Sequence, residues 1–470
     1  MRKKHEAAPA SHLEEKKHIS GHWSSTWIFV LAASGAAIGF NNLWQFPALV
    51  AEHGGGAFVI VYLFSVAVIG VPLLMTEIMI GRVGRASPVF AMSHAAEQSR
   101  SSPHWRVLGG LAIVGGFLIF SYLSVIAGWT MAYTLRMALG VFSGLTADGI
   151  GALFTKLVRD PEKQLFWHTL FVVATMVAVA RGLRLGLEPV VRYAAPLMFV
   201  LFAVLLAYVL FLPGVDQALL QLLRPDFARL TTTGVLTAMS HAFFSLGLGV
   251  GALLMYGAYL DDKAPISRAA VALAGIDTGT ALVGSVIVFA VLFAGRVNME
   301  VGPTLVFQAL PLAFDHLSYG RVFGTVFFAM LVLIALLTAV ALVEPVMVWL
   351  GERFGLSRFK SALLCGSLAW SLGLATILSF NYWAFSFKFL GVVRNLGFFD
   401  ILQLATSQLL LPIGGIAIAV FAGWWLKRDI SESQFAMRSP CAYDAWRWSV
   451  RLVTPLLLLL VFVYLHKLFV

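Results

Sequence analysis

The chain has 470 residues, 60% of them apolar and only 12% charged, too little polar surface to cover a water-soluble particle of that length. Its 33 Lys and Arg outnumber 23 Asp and Glu for a formal charge of +10. Two thirds of that base lies on one set of alternate loops, which points to a membrane surface with anionic lipid heads and away from a nucleic-acid partner.

Eleven apolar runs are long enough to cross a bilayer as helices, near 24–50, 57–81, 107–137, 165–181, 189–212, 233–260, 267–295, 320–350, 361–382, 400–426 and 447–467. The expected fold is an all-α polytopic membrane protein. A Lys-rich tail (1–22) precedes the first run; it has no cleavable signal pattern and is expected to stay on. Residues 23–426 are read as a ten-helix core and 427–470 as an inner loop with the eleventh span. The tail and alternate loops (81–106, 181–192, 261–268, 351–360, 427–451) hold 22 of the 33 Lys and Arg. That bias puts the N-terminus inside and the C-terminus outside, in the cell inner (plasma) membrane. Arg82, Arg85 and Arg106 read as juxtamembrane anchors. Cys365 and Cys441 have neither zinc-ligand spacing nor a shared compartment for a disulfide.

No loop holds a separate catalytic domain, and no HExxH, GxSxG or assembled triad occurs, so a non-enzymatic function within the spans is expected. In chain order, the first polar interruption is "SGAAIGFNNLWQFP" (34–47) with Gly35, Gly39, Asn41, Asn42 and Gln45. "EHGGGAF" (52–58) lacks the Lys-Ser/Thr of a phosphate loop and reads as a tight extracellular connection. The sixth run contains "HAFFSLGLGVGALL", with His241, Ser245 and three glycines, and the seventh contains Asp277 in "GIDTGT". Each glycine segment carries a GxxxG, which also suits a helix-packing face. The two lie in the first helix of successive sets of five, where an inverted-repeat transporter places discontinuous helices; unwound backbone at that depth must line a cavity. A lone carboxylate such as Asp277 is too costly in a span to be idle.

The blocks "AAIGFNNLWQFPALVAEHGGGAF" (36–58), "SYLSVIAGWT" (121–130), "HAFFSLGLGVGALLMYGAY" (241–259), "IDTGTALVG" (276–284), "GPTLVFQALPLAF" (302–314), "EPVMVWLGERFGLSR" (344–358) and "LLLPIGGIAIAVFAGW" (409–424) occur in an order that resembles the neurotransmitter:sodium symporter family, in particular its bacterial 11-helix amino-acid transporter branch. The resemblance spans Trp23 to Trp425. It implies a five-plus-five inverted repeat with helices 1 and 6 unwound around a substrate, and alternating access driven by sodium. It implies a first sodium site from the Ala37 carbonyl, Asn42, Ser245 and Asp277, hard oxygen donors for a hard cation. A second would use the carbonyls of Gly35, Ile38 and Ile334 with Thr338. Substrate contacts would come from Gly39, Phe40, Asn41, Ile119, Tyr122, Leu123, Phe244, Gly247 and Val250, with Phe244 as an aromatic lid. Gly39 stands where amine-transporting relatives carry an Asp, which favours a solute bearing its own carboxylate. Asp277 stands where chloride-dependent relatives carry an Asn, which implies that chloride is not required. No organic cofactor is implied.

The chain departs from the family pattern near its gates. Gln45 and Gln403 replace an outer Arg–Asp pair; two amides can still close by hydrogen bonds without stranding a charge. Leu123 replaces a carboxylate-binding Tyr, and Leu337 a sodium-ligating hydroxyl. Trp23 and Glu352 belong to the inner gate, with Ser20 in place of its Arg and Lys16, Lys17 and His18 nearby. His241 replaces a Gln, is expected near Asp277, Tyr62 and Gln45, and is a candidate proton carrier. Glu77 and Glu344 are expected to brace helices 1 and 6. The function implied is a sodium-coupled symporter of an amino acid or related carboxylate-bearing solute. A proton-coupled or sodium-independent carrier of an unusual solute, and a non-transporting sensor of transporter form, remain as alternatives.

Overall fold

A computed structural model describes residues 21–389, 392–435 and 439–467. With no water in a bilayer core, each backbone amide must be satisfied within its own segment, and the apolar runs accordingly form helices. Nine are continuous and long enough to span: Gly56–Gly84, Pro103–Ala138, Pro161–Ala180, Leu183–Val209, Ile266–Gly295, Gly320–Phe354, Arg358–Ser379, Phe398–Trp425 and Pro440–Tyr464. Two more spans are interrupted. One consists of Thr26–Ala37 and Asn41–Glu52, bent by 58°. The other consists of Thr232–Ser245 and Ala252–Ala258, separated by residues 246–251. Nine plus two makes eleven spans among the described residues, numbered below in chain order, with spans 1 and 6 broken.

Side-chain caps start several of these helices. Ser25 Oγ accepts from the Ile28 amide at 3.2 Å, and Thr231 Oγ1 from the Gly234 amide at 3.1 Å. Between the spans, the structure adds elements that the apolar pattern leaves as loops. Short helices at Pro88–Gln98, Ala147–Val158 and Val215–Leu223 lie along the surface. A hairpin pairs Ala384–Phe389 with Val392–Gly397, with Ala384 opposite Gly397. In "AFSFKF" every second residue is aromatic, a period of two that suits a strand.

The architecture is the five-plus-five inverted repeat, spans 1–5 and 6–10, with the broken helix leading each half. Spans 3 and 8 run against each other over most of their length, and the two halves of span 6 pack on span 2. That last crossing is close: a Cβ at Gly257 would sit 2.4 Å from the Ile78 carbonyl oxygen, and one at Gly81 1.9 Å from that of Leu254. Small residues let the backbones meet there. The loops rich in Lys and Arg lie together at one end of the spans, here termed the basic face.

Candidate functional site

The break in span 1 covers Ile38, Gly39 and Phe40, between helices that end at Ala37 and restart at Asn41. The break in span 6 is made by Gly247 (φ 62°), Gly249 (φ 82°) and Gly251 (φ 77°), a left-handed backbone that a side chain would strain. The two breaks face each other, since a Cβ on Gly247 would lie 3.4 Å from the Ala36 carbonyl oxygen. Gly39 needs no such conformation, and a Cβ there would meet nothing closer than 3.8 Å. Gly35 is a packing glycine, with Leu337 Cβ 3.0 Å from where its own Cβ would stand. The first GxxxG thus serves both packing and a break.

Free amides in the span 6 break need acceptors. Glu77 of span 2, wholly buried, supplies one, accepting from the Gly249 amide at 2.8 Å. A hydrogen bond of this kind contributes about 0.5–1.5 kcal/mol.

Four oxygen-bearing side chains converge beside the breaks. Asn42 Nδ2 donates to Asp277 Oδ1 at 2.8 Å and to the Asp277 carbonyl at 3.3 Å. Ser245 and Tyr62 face the same carboxylate, with their hydroxyls 3.4 Å apart. Asn42 and Asp277 are fully buried, yet among the described residues Asn42 Oδ1 and Asp277 Oδ2 have no hydrogen-bond partner. Two orphaned acceptors at one buried spot fit a small cation. Ala37, whose carbonyl was assigned to the same cluster, is buried at the end of the first half-helix. Among the described residues no group of three or more His, Cys, Asp or Glu is placed to hold a metal, so the donor set is mostly neutral oxygen.

A second cluster forms where span 8 meets the break of span 1. The Thr338 hydroxyl lies 3.0 Å from the Ile334 carbonyl oxygen, 3.1 Å from that of Ile38 and 3.4 Å from that of Gly35. All four oxygens assigned to the second site are therefore together, and Leu337 is turned away into packing against Gly35.

The expected substrate contacts come from spans 1, 3 and 6. Phe40 is buried and stacks on Trp44, with centroids 5.3 Å apart. Asn41 is half-buried at the start of the second half-helix. Phe244 is half-buried beside Phe243. Val250 lies in the span 6 break, its carbonyl oxygen 2.8 Å from a Cβ built on Gly116 of span 3. On span 3, Ile119 is half-buried, Leu123 is buried, and Tyr122 meets Phe399 edge-on at 5.5 Å and faces Thr406 and Ser407 of span 10.

The gates differ in state. Gln45 and Gln403 are both exposed, and among the described residues no hydrogen bond joins them. At the basic face, Trp23 is buried: its amide donates to the Tyr259 carbonyl at 3.0 Å and its indole to that of Tyr256 at 3.1 Å. Glu344, fully buried, accepts from Tyr259 at 2.6 Å and takes both Arg358 guanidinium nitrogens, at 2.8 and 2.9 Å. Glu352 accepts from the Ser87 amide at 3.0 Å, at the start of the surface helix Pro88–Gln98. Ser20, Lys16, Lys17 and His18 lie outside the described residues. His241 sits against Phe46 and Tyr62, with centroids 5.3 and 5.7 Å away. Its Nε2 is buried and has no hydrogen-bond partner among the described residues, and Gln45 is exposed and makes no hydrogen bond to it.

The model of the "Sodium:neurotransmitter symporter family" matches residues 20–141 and 160–469. The chain belongs to this family. It is 32% identical over 460 residues to an uncharacterised sodium-dependent transporter of Bacillus subtilis, covering 96% of this chain and 99% of that protein. A similar protein of Haemophilus influenzae is 30% identical over 448 residues, 94% and 97% of the two chains. Among solved structures, that of MhsT in complex with L-phenylalanine is similar at 35% identity and a TM-score of 0.83, covering 94% of this chain and 99% of that one.

Within this symporter fold, sequence reasoning missed two participants at the basic face. Arg358 neutralises Glu344, and Tyr259 bonds to both. A signal was present: a carboxylate within a span calls for a cation, and Arg358 begins the next span. It also missed Trp44, because an aromatic one turn beyond Phe40 reads as ordinary packing.

Proposed function

We propose that this symporter-family protein carries an amino acid or a related small carboxylate-bearing solute, coupled to sodium, by alternating access and without a chloride requirement. The supporting observation is the pair of orphaned buried oxygens, Asp277 Oδ2 and Asn42 Oδ1, beside the facing breaks. Sodium held there as a co-substrate would neutralise the Asp277 carboxylate, so no chloride is needed to balance the site. The solute's carboxylate would sit by the span 1 break, where the free amides at the start of Asn41–Glu52 favour an anion. Gly39 leaves that position uncharged, and the similarity to a transporter that holds L-phenylalanine supports an amino acid in the same place. The basic face is then cytoplasmic and the membrane the plasma membrane, with the N-terminus inside and the C-terminus outside.

In this assignment the Trp23–Tyr256–Tyr259 and Glu344–Arg358 contacts seal the inner side. The exposed amides of Gln45 and Gln403 stand where the outer side would close. Transport requires the two sides to exchange these states.

The test is uptake into proteoliposomes of an amino-acid panel, with sodium or potassium outside and chloride or gluconate as the anion. Uptake of at least one amino acid that needs sodium and ignores the anion is expected. Uptake equal in potassium would overturn sodium coupling, and loss in gluconate would overturn chloride independence. His241, whose ring packs beside that of Tyr62 and whose buried Nε2 has no partner among the described residues, favours proton coupling as the second reading.

A further inference from the structure

On the basic face a cleft of about 360 Å³ opens between the surface helix Pro88–Gln98, the start of span 3 and the end of span 8. Val89, Phe90, Ser93, Arg106, Trp349 and Arg353 line it. Several other arginines on this face are matched to acids: Arg85 to Asp262, Arg184 and Arg192 to Glu188, Arg358 to Glu344, and Arg428 to Glu432 and Asp444. Arg106 and Arg353 share one cleft, both exposed, and among the described residues no salt bridge reaches either. The nearest acid in sequence, Glu352, is turned to the Ser87 amide. Ser93 donates to Glu97 at 3.4 Å, a long bond.

The depth of the cleft is marked independently. Trp105, one residue before Arg106, packs on Phe421 at 5.2 Å and Trp425 at 5.0 Å. Trp424 and Trp425 are themselves about half exposed, at 51% and 46%. An aromatic cluster of this kind sits at the level of lipid head groups. The cleft therefore offers two unpaired guanidinium forks and a hydroxyl at head-group depth, above a wall of Val89, Phe90 and Trp349.

We infer that this cleft binds the phosphate of an anionic phospholipid, with Arg106 and Arg353 clasping the phosphodiester and the apolar wall taking the adjoining glycerol and upper acyl chain. Guanidinium groups match phosphate oxygens in planar, two-pronged geometry, and two cations on one cleft select an anionic head group over a zwitterionic one.

Native mass spectrometry of the delipidated full chain, titrated with phosphatidylglycerol or phosphatidylcholine, tests this. A saturable phosphatidylglycerol adduct is expected, with none for phosphatidylcholine. The double variant Arg106→Gln/Arg353→Gln should bind phosphatidylglycerol about thirtyfold more weakly, the loss expected for two surface cations. Ser93→Phe, which fills the cleft and keeps both charges, should also bind more weakly, and it decides the matter alone if the double variant does not fold. Arg268→Gln, an exposed arginine of the same face, should change nothing. Undiminished binding in either cleft variant, or an equal loss in Arg268→Gln, would overturn the inference. Displacement of the adduct by millimolar glycerol 3-phosphate would overturn the lipid as the source and assign the cleft to a free phosphate ester.

Discussion

Asp277→Asn isolates a single atom of the candidate sodium site. In the native chain Asp277 Oδ1 accepts from Asn42 at 2.8 Å and Oδ2 is the orphan. An asparagine keeps an oxygen for Asn42 and replaces the orphan with an NH2 group, so packing is preserved while the charge is removed and a donor points at the cation. Losing one charge-assisted contact costs about 1.5–3 kcal/mol, which corresponds to roughly 10- to 150-fold weaker sodium binding. The assay is sodium-dependent binding of whichever amino acid the uptake panel identifies, backed by thermal unfolding with and without sodium. Sodium should raise the melting temperature of the wild type, and at the same concentration should shift the variant less. If chloride balances charge in relatives with Asn at this position, added chloride should recover part of the loss. A folded variant whose sodium dependence moves less than about threefold, well below the range above, would refute the assignment of Asp277 as a ligand.

Breaking the Glu344–Arg358 pair by Arg358→Gln leaves the buried Glu344 carboxylate with Tyr259; with Arg358 itself half-buried, a loss of about 2–3 kcal/mol in stability is expected, towards the low end for a buried pair, and a melting temperature unchanged from wild type would contradict that. Gly249→Ala forces a side chain to φ 82° with its Cβ 3.0 Å from the Leu411 carbonyl oxygen, and should cost about 1–2 kcal/mol in the same assay. Gly39→Ala meets no atom within 3.8 Å and should leave melting unchanged while weakening solute binding; the reverse pattern would place Gly39 in packing. Thr338→Val removes the hydroxyl among three carbonyls and should lower sodium affinity, whereas Thr338→Ser should restore it; equal behaviour of the two argues against a second site. Uptake measured against pH in His241→Gln should show an altered profile if the histidine carries a proton, and an unchanged profile removes that role.

The number of spans and the place of both breaks were legible in the amino-acid order, because a bilayer demands long apolar helices and punishes polar interruptions unless they line a cavity. Asp277 was legible for the same reason: an ionisable group in a span is conspicuous. Contacts that depend on which faces meet were not. Arg358 is read as one more basic residue at a span end until the fold swings it onto Glu344. Arg106 and Arg353, far apart in the chain, share a cleft only because span 3 runs against span 8. The Gln45 and Gln403 amides match as a pair on paper, yet both are exposed and, among the described residues, no hydrogen bond joins them, since contact depends on how closely spans 1 and 10 approach rather than on residue type. Local chemistry and hydrophobic period set where the helices lie and break; helix packing alone decided which oxygens, charges and rings came within reach of one another.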